Sequence, residues 1–437
     1  MHVLMGVPPM PRAEFPQDIL PVDDVIITAN AERGVPMLFR QMGQTGDSVS
    51  ILGYGCMRFP KLDKHTDIAR TERQIISAIE SGVNYFDTAY AYGNSESVLG
   101  SILAKGYRDR VLIATKLPLM MANSVAGMER YLATSLQRLQ TDRVDYYLMH
   151  AINTLEGWQR AKQLGVEGFI ERARAAGQVR RIGFSYHGDL DQFKAIVDDY
   201  PWDFCQIQYN YLDEHFQAGK EGLEYAAAKG LGVVVMEPLR GGNLVGKMPA
   251  SVQAVWDKAA VPRSPAEWAL RWVWNHPGVT CVLSGMNEES HIEENIRIAS
   301  EAAPNSLTSA ELQLIDEVKT TIAAQLKVGC TGCGYCMPCP AGVNIPFCFS
   351  TYNTKNLFHD RNSQMSYVVY TCGMDGGQPA YASKCQDCGK CEKLCPQHLP
   401  IRQHLREVAQ EMQGWYFKPV VSVVQGFNKV RRMLTRR

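Results

Sequence analysis

The chain has 437 residues, of which 46% are hydrophobic and 21% charged, with 45 basic and 45 acidic side chains. That is an ordinary globular composition, long enough for a large core and a second domain. A balanced charge gives no electrostatic footprint for nucleic acid. No apolar run reaches the ~18 residues of a membrane span, and the N-terminus lacks the basic start and apolar core of a secretory signal.

Residues 1–36 are rich in Pro and small residues without a clear period, and are expected to be a loose extension. From residue 37 to 328 short apolar runs alternate with amphipathic stretches. The runs are "SILGYGCM", "NYFDTA", "VLIATKL", "VDYYLMH", "RRIGFS", "FCQIQYN", "GVVVMEPL" and "VTCVLSG". Between them lie patterns such as "TERQIISAIESG", "GMERYLATSLQRLQ", "VEGFIERARAAG" and "HIEENIRIASE". Many end at Gly, the usual left-handed helix stop. Near-continuous apolar strands fit a parallel sheet buried on both faces. Their number and spacing fit an α/β fold, a (β/α)8 TIM barrel. The rival, a doubly wound sheet, usually opens with a G-x-G-x-x-G turn, and "ILGYGCMRFP" is not one.

In such a barrel, chemistry sits at the C-terminal strand ends. Asp87, Lys116, His150 and Ser185 fall there, and Tyr92 lies in the loop just past Asp87. Reducing a carbonyl requires a proton donor for the developing alkoxide. A phenol serves if its pKa, ordinarily about 10, is brought down. A neighbouring ammonium does that, and a carboxylate keeps the ammonium charged. A His beside the carbonyl oxygen can donate a hydrogen bond. Tyr92, Lys116, Asp87 and His150 therefore make up an acid catalyst for hydride transfer.

The stretches "NYFDTAYAYGNSESVLG", "LIATK", "RVDYYLMH" and "SILGYGCMRFP" closely resemble the aldo/keto reductase family, over roughly residues 37–328. The resemblance implies Tyr92 as general acid, Lys116 and Asp87 as its tuning pair, and His150 orienting the carbonyl. It implies nicotinamide dinucleotide, NAD(P)H, with Ser185 and Gln206 on the carboxamide and Glu294 and Asn295 near the adenine. It places Met236 at the nicotinamide and Leu239 in the loop 237–244 that covers the pyrophosphate. Three positions depart from the family pattern. Tyr186 stands where Asn is common, and Met236 where an aromatic ring is common. Glu288 and Glu289, with only His291 nearby, stand where basic residues often hold a 2′-phosphate. Carboxylates repel phosphate, so NADH is expected at least as much as NADPH.

Ten of the 13 cysteines fall between 330 and 395. Cys330, Cys333, Cys336 and Cys339 are spaced by two residues each, and Cys385, Cys388, Cys391 and Cys395 follow the C-x2-C-x2-C-x3-C-P rule. Zinc also takes C-x2-C pairs, but two runs each closed by Cys-Pro favour two 4Fe-4S clusters. In two-cluster ferredoxins the fourth Cys of each run ligates the other cluster. The expected sets are Cys330, Cys333 and Cys336 with Cys395, and Cys385, Cys388 and Cys391 with Cys339. Cys348 and Cys372 are expected to be buried and apolar. Helical patterns at "IPFCFSTYNTKNLFHD" and "LPIRQHLREVAQEMQ" make residues 329–412 a mostly α-helical ferredoxin-like domain. "CTGCGYCMPCP" and "CPQHLPI" resemble an aldo/keto reductase subfamily with this appended domain, extending the resemblance to residue 412.

Residues 413–437 form a basic tail, with Val420, Val423, Val424, Phe427, Val430 and Leu434 on one helical face. Such a helix lies on a membrane surface, docks on an acidic partner, or packs on its own chain. The expected protein is a cytoplasmic oxidoreductase, peripheral at a membrane if the tail binds one. It acts on a small carbonyl or alcohol. Its clusters either exchange electrons with a redox partner protein or are structural. Joining hydride chemistry to one-electron clusters calls for a converter such as flavin. No flavin motif is present, although barrels bind flavin without one. The alternative is an electron-transfer subunit whose barrel is a docking or sensing platform.

Overall fold

The computed structural model describes residues 26–29, 36–246, 248–330, 332, 334–360, 362–374, 378–395 and 397–434, with backbone alone for 26–29, 36 and 430–434. Eight parallel strands close into a barrel. They are β1 (Leu52–Gly55), β2 (Tyr85–Asp87), β3 (Leu112–Leu117), β4 (Val144–Met149), β5 (Val179–Tyr186), β6 (Phe204–Gln208), β7 (Gly232–Met236) and β8 (Cys281–Ser284). Val282 pairs with Leu52 to complete the ring. A helix follows every strand, and the caps are written in the sequence. Asp67, Ser124, Thr154, Asp189, Ser264 and Thr308 each accept a first-turn backbone N–H, satisfying donors that have no partner within the helix.

The barrel interior is solid. Tyr85, Ala114, Tyr146, Leu148, Phe204, Val234 and Cys281 fill it, and Met42 and Val49 enter from below. These two come from an antiparallel hairpin, Pro36–Gln41 with Ser48–Ser50. Ile26–Ala29 adds a third strand to it, although the sequence there reads as loose extension. Short extended segments with Pro close by carry too little periodicity to announce pairing. Residues 1–25 and 30–35 lie outside the described residues. Arg40 ties the hairpin to the barrel, donating to Trp274 O at 2.7 Å, to His276 O at 3.2 Å and to Val279 O.

Beyond the barrel the chain is helical. Ser309–Ala323 packs on the barrel's own shell. The cysteine domain holds Ile345–Phe358, Ser363–Thr371, Lys390–Leu394 and Ile401–Met412 around a separate core. Cys348 and Cys372 are buried in that core, as expected. The tail forms a helix, Phe417–Leu434, but its apolar stripe is split. Phe417, Val420 and Val421 join the cysteine-domain core, and buried Asn428 donates to Gly373 O at 2.7 Å. Val423 and Phe427 stay exposed, and the side chains of Val430 and Leu434 are not described. No helix among the described residues is long and apolar enough to cross a membrane.

Replacing Arg40 by Leu removes three donations to buried carbonyls. Each acceptor left without a donor costs about 1–3 kcal/mol, and a urea titration should show the loss as a lower midpoint.

Candidate functional site

Strand register brings the four polar groups together at the barrel mouth. Asp87 ends β2 beside Ala114, and Lys116 stands near the end of β3 beside Leu148. Both point into the lumen and are almost fully buried. Lys116 Nζ donates to both Asp87 carboxylate oxygens at 2.6 Å and to Thr88 O at 2.8 Å. These three oxygens surround the buried ammonium, and Tyr92 also engages it. The same ammonium lies 5.0 Å from the centre of the Tyr92 ring. His150, one residue past β4, meets Tyr92 edge to face at 6.0 Å.

Burial and charge set the protonation states. Burial opposes the Lys116 charge, but Asp87 and Tyr92 outweigh it and leave its pKa raised. Burial raises Asp87 against the pull of Lys116. Burial also pushes His150 down to about 3, helped by Lys116 and His187, so the imidazole is neutral. Tyr92 differs from the sequence expectation. Burial raises its phenol above the ordinary value, and Lys116 offsets only part of that. Tyr92 is thus a proton-loaded phenol at neutral pH.

Two groups at the mouth have the polarity of a carboxamide partner. Ser185 Oγ accepts from Ala151 N at 2.8 Å and keeps its own hydrogen to donate. Gln206 Oε1 is buried without a hydrogen-bond partner, while its Nε2 donates to Met236 Sδ at 3.6 Å. A free donor beside an orphaned acceptor complements an amide, so these residues fit a nicotinamide. Met236 ends β7 at the rim, with its thioether against Gln206. Asn295 donates to Ser284 Oγ at 2.8 Å, and Glu294 accepts from Ser264 Oγ at 2.5 Å. Both stand on the helix after β8. Leu239 is half-buried at the loop after β7 and packs against the barrel shell.

Two departures noted in the sequence change meaning. Tyr186 does not reach the mouth. Alternation along β5 sends Ser185 inward and Tyr186 outward, where it is fully buried beside Phe184 and Phe193 and donates to Asp189 O. Glu288 and Glu289 are not bare carboxylates. Arg70 bridges both at 2.5 Å, from a helix far earlier in the chain. Sequence reading also passed over Glu237, which follows β7 in the left-handed region at φ 55°. It is exposed, and its carboxylate has no hydrogen bond or ion pair among the described residues.

In the cysteine domain, Cys330 and Cys336 line one cavity together with Cys395 from the second run. Ile345, Pro346, Phe349, Leu399 and Ile401 complete its apolar wall. Cys333 lies outside the described residues. The end of the first run lies against the start of the second. Gly342 donates to Cys339 O and abuts Lys384, next to Cys385. Cys391 is near enough to feel Cys385, and Cys388 is exposed. Thiolates from both runs round one apolar cavity fit a crossed cluster set. No group of three or more His, Cys, Asp or Glu among the described residues converges as ligands of a single metal ion do.

A closed parallel barrel with its polar groups at the C-terminal mouth, joined to a cysteine domain, defines a two-part redox protein. The aldo/keto reductase family model matches residues 51–320, and that of the 4Fe-4S dicluster domain matches 329–399. The chain belongs to the aldo/keto reductase family and carries a 4Fe-4S dicluster domain. It is 33% identical over 324 residues to the uncharacterized oxidoreductase YrpG of Bacillus subtilis (strain 168), covering 64% of this chain and 96% of that one. It is 26% identical over 294 residues to the NADH-specific methylglyoxal reductase of Escherichia coli (strain K12), covering 56% and 86%. Among solved structures it is similar to the holo form of aldo-keto reductase AKR11C1 from Bacillus halodurans. That match has a TM-score of 0.55 and 26% identity over 64% of this chain and 96% of that one.

Asp87→Asn leaves Lys116 as an uncompensated buried cation. Breaking such a pair costs about 3–5 kcal/mol, and calorimetry should show a markedly lower Tm. For the clusters, Cys330→Ala and Cys395→Ala should each remove about half of the iron. If the fourth ligands cross, the double variant keeps that same half, because both cysteines serve one cluster. If they do not, its iron falls close to zero.

Proposed function

We propose that the protein transfers a hydride between a nicotinamide dinucleotide and a small carbonyl or alcohol, with Tyr92 as the general acid. The observation that carries this is a proton-loaded phenol over a buried ammonium–carboxylate pair, with a neutral imidazole at its edge. When bound, the dinucleotide supplies or accepts the hydride. Ser185 and Gln206 would hold its carboxamide, and Glu294 and Asn295 its adenine end. Neutral His150 donates a hydrogen bond to the carbonyl oxygen and orients it. Tyr92 gives its proton to the oxygen as negative charge develops there. Lys116 then stabilises the phenolate that remains, and Asp87 keeps Lys116 charged and in place.

The acidic pair Glu288 and Glu289 favours NADH over NADPH, and Arg70 takes up part of that charge. The NADH specificity that the Escherichia coli relative's name records supports the same choice. The two 4Fe-4S clusters carry single electrons, held by Cys330, Cys333, Cys336 and Cys395 and by Cys385, Cys388, Cys391 and Cys339. A second reading, an electron-transfer subunit with the barrel as platform, draws on the cysteine domain's seat against the barrel. Arg240, in the loop after β7, pairs with Asp213 at 3.1 Å, donates to Ser350 Oγ at 3.4 Å and covers the Phe358 ring at 5.8 Å.

Anaerobic protein given NADH and a carbonyl panel separates the two. Nicotinamide oxidation without a cluster signal in electron paramagnetic resonance supports the reductase. Cluster reduction without turnover supports the electron-transfer subunit. Tyr92→Phe should lower carbonyl reduction by about 100-fold or more, and unchanged activity would refute the assigned acid. The pH profile follows from the raised phenol pKa. Reduction needs the protonated phenol, so kcat/KM should stay flat through neutrality and fall only above pH ~10. Alcohol oxidation needs the phenolate and should rise over the same range.

A further inference from the structure

The cysteine domain does more than rest on the barrel. Its helix Ser363–Thr371 carries Tyr370 to the mouth, where the ring lies 5.5 Å from His187, in the loop after β5. Phe347 of the helix Ile345–Phe358 meets the same ring, edge to face at 5.4 Å. His187 is anchored in turn, since its backbone N–H donates to Asn153 Oδ1 at 2.9 Å. Its imidazole stands close enough to His150 to lower that residue's pKa. Tyr370, His187, His150 and Tyr92 thus form a row running from the cysteine domain down to the proposed acid.

Tyr370 is 40% exposed, and its phenol lies close enough to Glu237 and Tyr92 for their charges to act on it. A partly exposed ring held between His187 and Phe347 is placed to line the mouth. A structural aromatic would instead bury its face, as Tyr367 does three residues earlier on the same helix. Tyr367 spends its hydroxyl on the Ala382 and Gln413 N–H groups. No hydrogen bond is shown for the Tyr370 hydroxyl among the described residues.

We infer that Tyr370, supplied by the cysteine domain, is a specificity-determining residue of the barrel site: it forms the wall opposite Tyr92 and limits the size of the carbonyl compound admitted. This rests on the reductase reading above. Its chemistry is that of a flat amphipathic wall. The ring packs on the carbon skeleton of the substrate, and the hydroxyl bonds a polar group one step away from the carbonyl. The favoured class is a compact carbonyl compound with a neighbouring hydroxyl or second carbonyl oxygen. Bulky aryl aldehydes are excluded by contact with the ring.

The test uses the full cluster-loaded chain, purified anaerobically, as wild type, Tyr370→Ala and Tyr370→Phe. Cluster absorption and Tm serve as checks of folding. Turnover is followed with NADH and carbonyls graded in size from methylglyoxal to 4-nitrobenzaldehyde. Tyr370→Ala should raise KM for the small carbonyls about tenfold, move kcat less, and improve kcat/KM for the aryl aldehyde. Tyr370→Phe should restore the exclusion of the aryl aldehyde but not the low KM for hydroxylated substrates. A size profile identical to wild type in Tyr370→Ala would overturn the assignment. A second readout needs no turnover. Diethylpyrocarbonate labelling mapped by mass spectrometry should show His187 and His150 modified several-fold faster in Tyr370→Ala, with exposed His215 as the unchanged reference. Faster labelling without wild-type turnover would sink the reductase reading and keep Tyr370 as the wall. Unchanged labelling would sink the wall itself.

Discussion

The buried pair of Lys116 and Asp87 is the constraint on which the site depends. Taking two charges out of water is costly, and their attraction compensates only where geometry is fixed and every remaining hydrogen bond is met. Both conditions trace to the barrel. Adjacent parallel strands fix the two side chains at neighbouring lumen positions, and Thr88 O also accepts from the ammonium. The filled interior beneath, from Tyr85 and Tyr146 down to Met42 and Val49, leaves no room for water from below. Tyr92 inherits its environment from this arrangement. Burial holds its proton, and in the proposed reaction Lys116 stabilises the charge once the proton is given up.

Much of this was legible in the sequence because its physics is local. Apolar runs marked all eight strands, and Asp87, Lys116 and His150 were visible as polar residues closing apolar runs. What stayed hidden is tertiary. Tyr186 looked like a change at the site until strand alternation turned it outward. Arg70 and the two glutamates meet only because the barrel closes, bringing the helix after β1 beside the helix after β8. The partial charge balance they reach could not be read from "SGMNEESH" alone. Ser309–Ala323 is a different case. Its capping box, Thr308 with Glu311, is a readable start signal, and it was passed over because no strand precedes it. The expected drop in the Tyr92 pKa failed for a physical reason as well. Counting neighbouring charges omits the desolvation that a closed barrel imposes.

The helix Ile345–Phe358 joins the cysteine domain to the barrel, beside the contact that Tyr370 makes with His187. Its sequence is apolar on both sides, as expected for a helix buried between two bodies. Ile345 and Phe349, four residues apart, share the face that walls the cavity of Cys330, Cys336 and Cys395. Phe347, Ser350 and Phe358 share the opposite face, where they meet Tyr370 and Arg240. Leu357 and Phe358 also pack into a barrel-side core with Tyr211, Leu244 and Trp256. One rigid element therefore touches the cluster cavity, the loop after β7 and the residue proposed to bound the substrate.

This placement narrows the puzzle of a proposed hydride site joined to one-electron clusters. A cluster module that served only as an electron store could hang from any surface of the barrel. Here it is seated at the mouth, where it holds Arg240 and contributes Tyr370. Arg240 and Glu237 both adopt left-handed backbone without being glycine, at φ 50° and 55°. Such conformations cost of order 1–3 kcal/mol each and persist where surrounding packing over-determines them. Asp213 and Ser350 supply that packing from opposite sides, one from the barrel and one from the cysteine domain. The loop shape at the mouth is thus a joint product of both halves. Folding the cysteine domain around its clusters is part of building the proposed carbonyl site, whether or not an electron passes between them.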